Sequence, residues 1–245
     1  MSAEDAPVSS CPGQPPATVV QPFLAASLIL LDRSDPSRVK ILMGRRNQSL
    51  AFLPGKFVFP GGRFEPEDAA MAHLGSLSDD IFNRLRAPST GAPVEMPAAL
   101  ALTGFRELFE ETGYLAGTPA QSPVSTPAGT AWEVNAKTGI IPDLSKVHYV
   151  ARALTPPHKP RRFNTHFFAI DATEVAMTID GHVHAEAELV ELRWVTFAEV
   201  AALDAIPVTQ FIAAAIEKRL AGGLRHGLPV PYYYMQDEQW ICAEL

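Results

Sequence analysis

The sequence predicts an α/β (α+β) fold, a sandwich of mixed strands and flanking helices. Three observations predict it. Dense apolar runs at Phe23–Leu31 and Val39–Arg46 and the alternating Leu189–Val195 read as strands. Two longer stretches with helical periodicity, Ala98–Thr112 and Val208–Leu220, are interleaved with them. The chain has 245 residues, of which 47% are hydrophobic and 19% charged, enough to bury a core and too apolar for wholesale disorder.

Residues 1–22 are rich in Pro, Ser and Ala without periodicity and are expected to form a flexible leader to a single domain, 23–245. Phe23–Leu31 and Val39–Arg46 read as two strands joined by a turn at Asp35-Pro36. Pro-Gly pairs at 54–55 and 60–61 bracket a short strand, Lys56–Phe59. Residues 69–97 read as an insertion holding a short helix, Ser78–Arg86. Residues 116–130 read as loop, with helix expected after Trp132. Strands are expected at Val147–Leu154, His166–Ile170 and Leu189–Val195, and a helix at Phe197–Leu203. The tail, 221–245, carries Tyr232–Tyr234 and Trp240, an aromatic group expected to pack on the domain or on a second copy of the chain, as in a homodimer.

A net charge of -7 makes the chain a poor nucleic-acid binder. The longest apolar run falls well short of the ~20 residues of a membrane helix, so no membrane partner is expected. Cys11 and Cys242 form neither a disulfide framework nor a zinc spacing. A soluble, cytoplasmic protein is the expectation.

The most informative stretch is Phe105–Tyr114, FRELFEETGY. At 100° per residue, Ala101, Leu102, Phe105, Leu108 and Phe109 form one apolar stripe, and Glu107, Glu110 and Glu111 gather on the opposite face, with Arg106 on their flank. Like charges at i, i+4 repel. Carboxylates in the last helical turn, before Gly113, meet the negative pole at about 0.3–1 kcal/mol each. A hard divalent cation reverses both penalties, and Mg²⁺ takes carboxylate and phosphate oxygens. A solvated acidic helix face explains the helix alone about as well.

FPGGRFEPED followed by RELFEETGY resembles the signature of the Nudix hydrolases. Arg106, Glu107, Leu108, Glu110, Glu111 and Gly113 carry its second half; Gly62 matches its first glycine, and Asp68 stands at its first glutamate. Residues 69–105, 37 in number, lie where seven are usual. The same stretching is found in the branch that includes peroxisomal coenzyme A diphosphatases, which the chain resembles from about Phe23 to Phe211. In that branch's upstream pattern, LMGRR (42–46) matches in part, while Asn47 and Ala51 depart from it.

The resemblance implies an α/β/α sandwich and metal-dependent hydrolysis of a diphosphate bond in a nucleoside diphosphate linked to another moiety. That moiety would complete coenzyme A or acyl-coenzyme A, or alternatively ADP-ribose, a dinucleotide or a nucleotide sugar; a non-catalytic nucleotide-sensing module is the rival of another class. It implies that Glu107, Glu110 and Glu111, with the Gly62 carbonyl, ligate Mg²⁺ or Mn²⁺, Glu107 and Glu111 being first choices, and that Arg106 orients the glutamates. Asp68 takes a supporting role. The water proton goes to Glu107, Glu110 or a glutamate outside the motif, for which Glu188 is the candidate. The partner is then a nucleotide-type small molecule. Arg46 and the basic run His158–Arg162, with Lys159, Arg161 and Arg162, are candidate phosphate contacts. Phe163, Phe167 and Phe168 are expected to pack rather than stack on a base. The histidines, His182 and His184 included, show no ligand spacing and are expected to be surface or satisfied groups.

Overall fold

A computed structural model describes residues 20–87 and 96–245. Most of the expected leader, with Cys11, and residues 88–95 near the end of the expected insertion lie outside the described residues. In chain order the elements are β1 (Phe23–Asp32), β2 (Lys40–Arg46), β3 (Phe57–Val58), β4 (Gly61–Arg63), α1 (Pro66–Ala70), α2 (Asp79–Arg86) and α3 (Pro97–Thr112). Then come β5 (Tyr114–Ala116), β6 (Thr118–Pro119), α4 (Glu133–Thr138), β7 (Ile140–Ile141), β8 (His148–Leu154), β9 (Phe163–Asp171) and β10 (Val175–Thr178). The chain closes with β11 (Leu189–Thr196), α5 (Phe197–Val200), α6 (Pro207–Ala221), β12 (Pro231–Gln236) and β13 (Gln239–Glu244).

Among the described residues the main sheet has nine strands, ordered β11-β2-β1-β9-β8-β12-β13, with β3 on β2 and β4 on β1. It is mixed, as the sequence predicts: β1 runs parallel to β9 and β12 to β8, and the other neighbours are antiparallel. β1 is central and covered on both faces, so its sequence is a continuous apolar run rather than an alternation. Ala26, Leu28 and Leu30 meet Leu102, Phe105 and Leu108 of α3 on one face. Ile29 and Leu31 meet Ile212 and Ile216 of α6 on the other.

Several expectations change at the edges. The C-terminal tail is a β-hairpin, its first strand paired with β8 through Tyr232↔Arg152. β9 begins at Phe163 because its whole length pairs with β1. The helix after Thr196 stops at Val200, and the 116–130 loop starts with the ends of β5 and β6. Within the expected insertion, Met71, Leu77, Ile81 and Leu85 are buried in the same core as α3, so this stretch supplies core side chains. Among the described residues no helix is long and apolar enough to cross a membrane.

One irregularity positions the site. β1 pairs with β2 only at Leu31↔Ile41 and Asp32↔Lys40. Farther back the strands part, and β4 pairs there instead, Ser27↔Gly61 and Ala26↔Gly62. The Gly-Gly segment thereby lies on the sheet under the C-terminal half of α3.

Candidate active site

Close approach explains the glycines. A Cβ on Gly61 would sit 2.6 Å from the Ala26 carbonyl oxygen, and one on Gly62 would sit 2.5 Å from the Glu107 carboxyl carbon. The Gly61 N–H donates to Glu111 Oε2 at 3.0 Å. Gly113 ends α3 at φ 75°, its N–H bonded to the Phe109 carbonyl at 2.8 Å.

Arg106 is buried and ties the carboxylates together. Its Nε and Nη2 donate to the two oxygens of Asp68 at 2.7 and 3.0 Å, and Nη2 also reaches the Arg63 carbonyl at 2.8 Å. Its Nη1 donates to Glu107 Oε1 at 2.9 Å and to Glu110 Oε2 at 2.6 Å. Asp68 is fully buried and accepts further hydrogen bonds from Thr103 Oγ1 at 2.8 Å, Trp132 Nε1 at 3.0 Å and the Glu65 N–H at 3.0 Å. The Asp68–Arg106 bonds and the Glu107 and Asp68 charges outweigh burial and hold the guanidinium's pKa above its ordinary value.

Glu107, Glu110 and Glu111 face an open cleft of about 500 Å³, walled on its far side by Gly181–Glu188. Glu188 hangs on Arg46 through a 2.7 Å ion pair, while Arg46 Nε donates to the Phe52 carbonyl at 2.9 Å. His182 and His184 also line the cleft. Their hydrogen bonds assign opposite tautomers in the neutral rings. His182 Nδ1 lies 2.9 Å from the Glu110 carbonyl, which can only accept, so Nδ1 carries the proton and Nε2 a lone pair. The Glu186 N–H donates to His184 Nδ1 at 3.3 Å, so the His184 proton sits on Nε2.

The cleft holds more negative charge than its arginines offset. Burial, helped by the Glu110 and Glu188 charges, outweighs Arg106 and pushes the Glu107 carboxyl up to about 7. Burial, with the Glu107 and Glu188 charges, raises Glu111 well above the carboxylate range. Such a site suits a divalent cation: the donors are hard oxygens, and a double positive charge would restore their ionised forms. Among the described residues no three acidic, histidine or cysteine side chains stand as a preformed cage. Mg²⁺ needs none, since one or two carboxylates with phosphate oxygens and waters complete its shell.

The predicted Glu107, Glu110, Glu111, Arg106 and Glu188 thus line one cleft, with Gly62 against Glu107. Arg46 reaches that cleft only through Glu188. The basic run does not join it. Arg162 is a correction: it is buried, and donates to the Thr155 and Val20 carbonyls at 3.1 and 2.8 Å, fastening the β8–β9 connection to the start of β1. Lys159 and Arg161 are exposed on that connection, away from the residues lining the cleft. His182 and His184 were not expected there. Their signal is only their place just upstream of Glu188, since a loop feeding one cleft residue brings its neighbours along. Phe109 also leaves the predicted stripe, packing with Leu115 and Ile140 and meeting His182 edge-on at 4.7 Å.

No family model matches the sequence, and no curated protein matches it. Solved structures do. A Nudix hydrolase from Alicyclobacillus acidocaldarius superposes with a TM-score of 0.63 at 24% identity, over 83% of this chain and 97% of that one. A Nudix hydrolase from Nitrosomonas europaea gives 0.46 at 12% identity, over 85% and 94%. The Nudix domain of Shewanella oneidensis NrtR, crystallised with ADP ribose, gives 0.45 at 13%, over 84% and 94%. The chain has the Nudix hydrolase fold.

Proposed function

We propose that the chain is a metal-dependent Nudix hydrolase that cleaves the diphosphate bond of a nucleoside diphosphate linked to a second moiety. The observation that carries the reading is the under-compensated carboxylate cleft, with Glu107 and Glu111 beside the Gly61-Gly62 segment and Arg106 behind them. A sensing module that had lost turnover would have no need of Glu107, Glu110, Glu111 and Arg106 together.

Glu107 and Glu111 would hold Mg²⁺ or Mn²⁺, with Glu110 and the Gly62 carbonyl as further oxygen donors. A divalent cation bound there supplies charge neutralisation for phosphoryl oxygens and acidity for a bound water. Arg106 fixes the Glu107 and Glu110 carboxylates through Nη1, and Asp68 fixes Arg106. Glu188 faces α3 from the far wall, its Oε1 bonded to Arg46. Its carboxylate accepts the proton of the attacking water and passes it on to solvent or the departing phosphate.

The partial match around LMGRR makes coenzyme A esters the first substrates to try, with ADP-ribose beside them. The test is incubation with Mg²⁺ or Mn²⁺ and coenzyme A, acyl-coenzyme A, ADP-ribose or NADH, with products read by mass. Paired phosphomonoester products that vanish with chelator are expected. No cleavage of any of the four with either metal, together with no Mn²⁺ binding by calorimetry, refutes the reading.

A further inference from the structure

Beside the cleft lies a cluster that the hydrolytic reading leaves unused. Phe23 begins β1, Phe163 begins β9, and their parallel register sets the two rings side by side, centroids 6.3 Å apart. Phe52 packs on Phe163 at 5.4 Å. Each outer ring carries a guanidinium: Arg46 lies 5.9 Å from the Phe52 centroid and Arg63 5.1 Å from that of Phe23.

The patch adjoins residues that line the cleft at both ends. Arg46 holds Glu188 on one wall. Arg63 directly follows Gly62, and its carbonyl binds Arg106 on the other. Packing does not account for the whole of it, because Phe23 is left 47% exposed at the sheet end. Arg46 is already paired with Glu188, so the positive charge of the patch is that of Arg63, with the exposed Lys159 and Arg161 on the connection leading into Phe163, in a chain of net charge -7.

A flat, neutral, polarisable group flanked by phosphate oxygens suits such a surface. Aromatic faces stack nucleobases without regard to sequence, and arginine forks grip phosphates. We propose that Phe23, Phe52 and Phe163, with Arg46 and Arg63, form the nucleoside platform of the site: the base stacks on the phenyl rings, and the arginines lead its phosphate toward the carboxylates. This rests on the diphosphatase reading and narrows it to substrates whose nucleobase lies on the Phe23 side of the cleft.

The test uses AMP as probe and ribose 5-phosphate as its base-free control, each titrated into the full chain in saturation-transfer NMR. AMP is expected to bind at least tenfold more tightly, with contact strongest at the base protons. Phe23→Ala alters an exposed ring, and Phe52→Ala alters a half-buried one. Each is expected to weaken AMP roughly tenfold and to raise KM for the cleaved panel substrate in parallel, with kcat and Mn²⁺ affinity held within twofold. Equal binding of AMP and ribose 5-phosphate, or unchanged AMP affinity in both variants, overturns the platform. Neither result bears on the metal-dependent chemistry, whose failure appears instead as loss of hydrolysis and of Mn²⁺ binding in the wild-type chain.

Discussion

Arg106 stands between two sets of carboxylates that meet opposite fates. Behind it, Asp68 is fully buried yet supplied on both oxygens by guanidinium, hydroxyl, indole and backbone donors. In front, Glu107 and Glu111 are also withdrawn from water, but one shares a single arginine nitrogen with Glu110 and the other takes one backbone N–H. A buried charge with its partners complete is held by the fold and costly to break; one with partners missing is an open valence for something from solution. The same residue chemistry is structural on one side of an arginine and receptive on the other.

That contrast breaks first at Glu111. Glu111→Gln is expected to reduce metal-dependent hydrolysis by orders of magnitude and to weaken Mn²⁺ binding in calorimetry. Its thermal midpoint should stay level or rise, since the amide replaces a group whose ionisation burial opposes. A variant that keeps full turnover would remove Glu111 from the cation site.

Asp68 should behave in reverse. Asp68→Ala leaves Arg106 with part of its charge unanswered in the interior, and breaking one half of a buried pair costs about 3–5 kcal/mol. Urea denaturation is expected to register a loss of that order, with residual hydrolysis in the fraction that folds. Should Asp68→Ala unfold no more readily than wild type while Glu111→Gln does, the two carboxylate classes have been assigned the wrong way round.

Protons offer a gentler probe. Glu107 is raised from 4.5 to about 7 in the folded, cation-free protein. The folded state then binds more protons than the unfolded chain between those values, so stability falls as pH rises. This contribution is fully present below about pH 4.5 and gone above about pH 7, a change of a few kcal/mol, and Glu111 acts in the same direction. His148 is lowered to about 4 by burial, then by His226, Arg219 and Arg33, and opposes the trend from 6.5 downward. The readout is therefore the difference between wild type and Glu107→Gln in chelator, followed as thermal midpoint against pH. The difference should slope downward with pH and flatten when Mg²⁺ is added. A slope that ignores both the substitution and Mg²⁺ would mean that Glu107 has partners enough already.

How much of this was legible in the chain follows the range of the interactions. The α3 carboxylates and Arg106 were legible because helical periodicity alone puts Glu107, Glu110 and Glu111 together. β1 and β2 were legible because burial leaves dense apolar runs, and β11 because its apolar and polar residues alternate. Asp68 as the anchor of Arg106 joins residues 38 apart in sequence, and no local pattern encodes that bond. The tail hairpin was hidden for the same reason, since its strand character depends on the β8 edge. Arg162 misled because a buried guanidinium satisfied by backbone carbonyls reads in sequence like any surface cation.

The far wall sharpens the contrast least but most locally. In a cleft of acceptor oxygens, the His184 Nε2–H is a donor, fixed as such by the Glu186 N–H on its other nitrogen. A phosphoryl oxygen beside the carboxylates needs donors, and a hydrogen bond to a charged group is worth about 1.5–3 kcal/mol. His184→Ala is therefore expected to raise KM for the cleaved substrate roughly tenfold, with kcat little changed. His184→Gln keeps an N–H at similar reach and should recover most of that loss. Equal kinetics for wild type and His184→Ala would leave the imidazole a bystander on the rim, and the substrate's phosphates would then depend on cation and arginines alone.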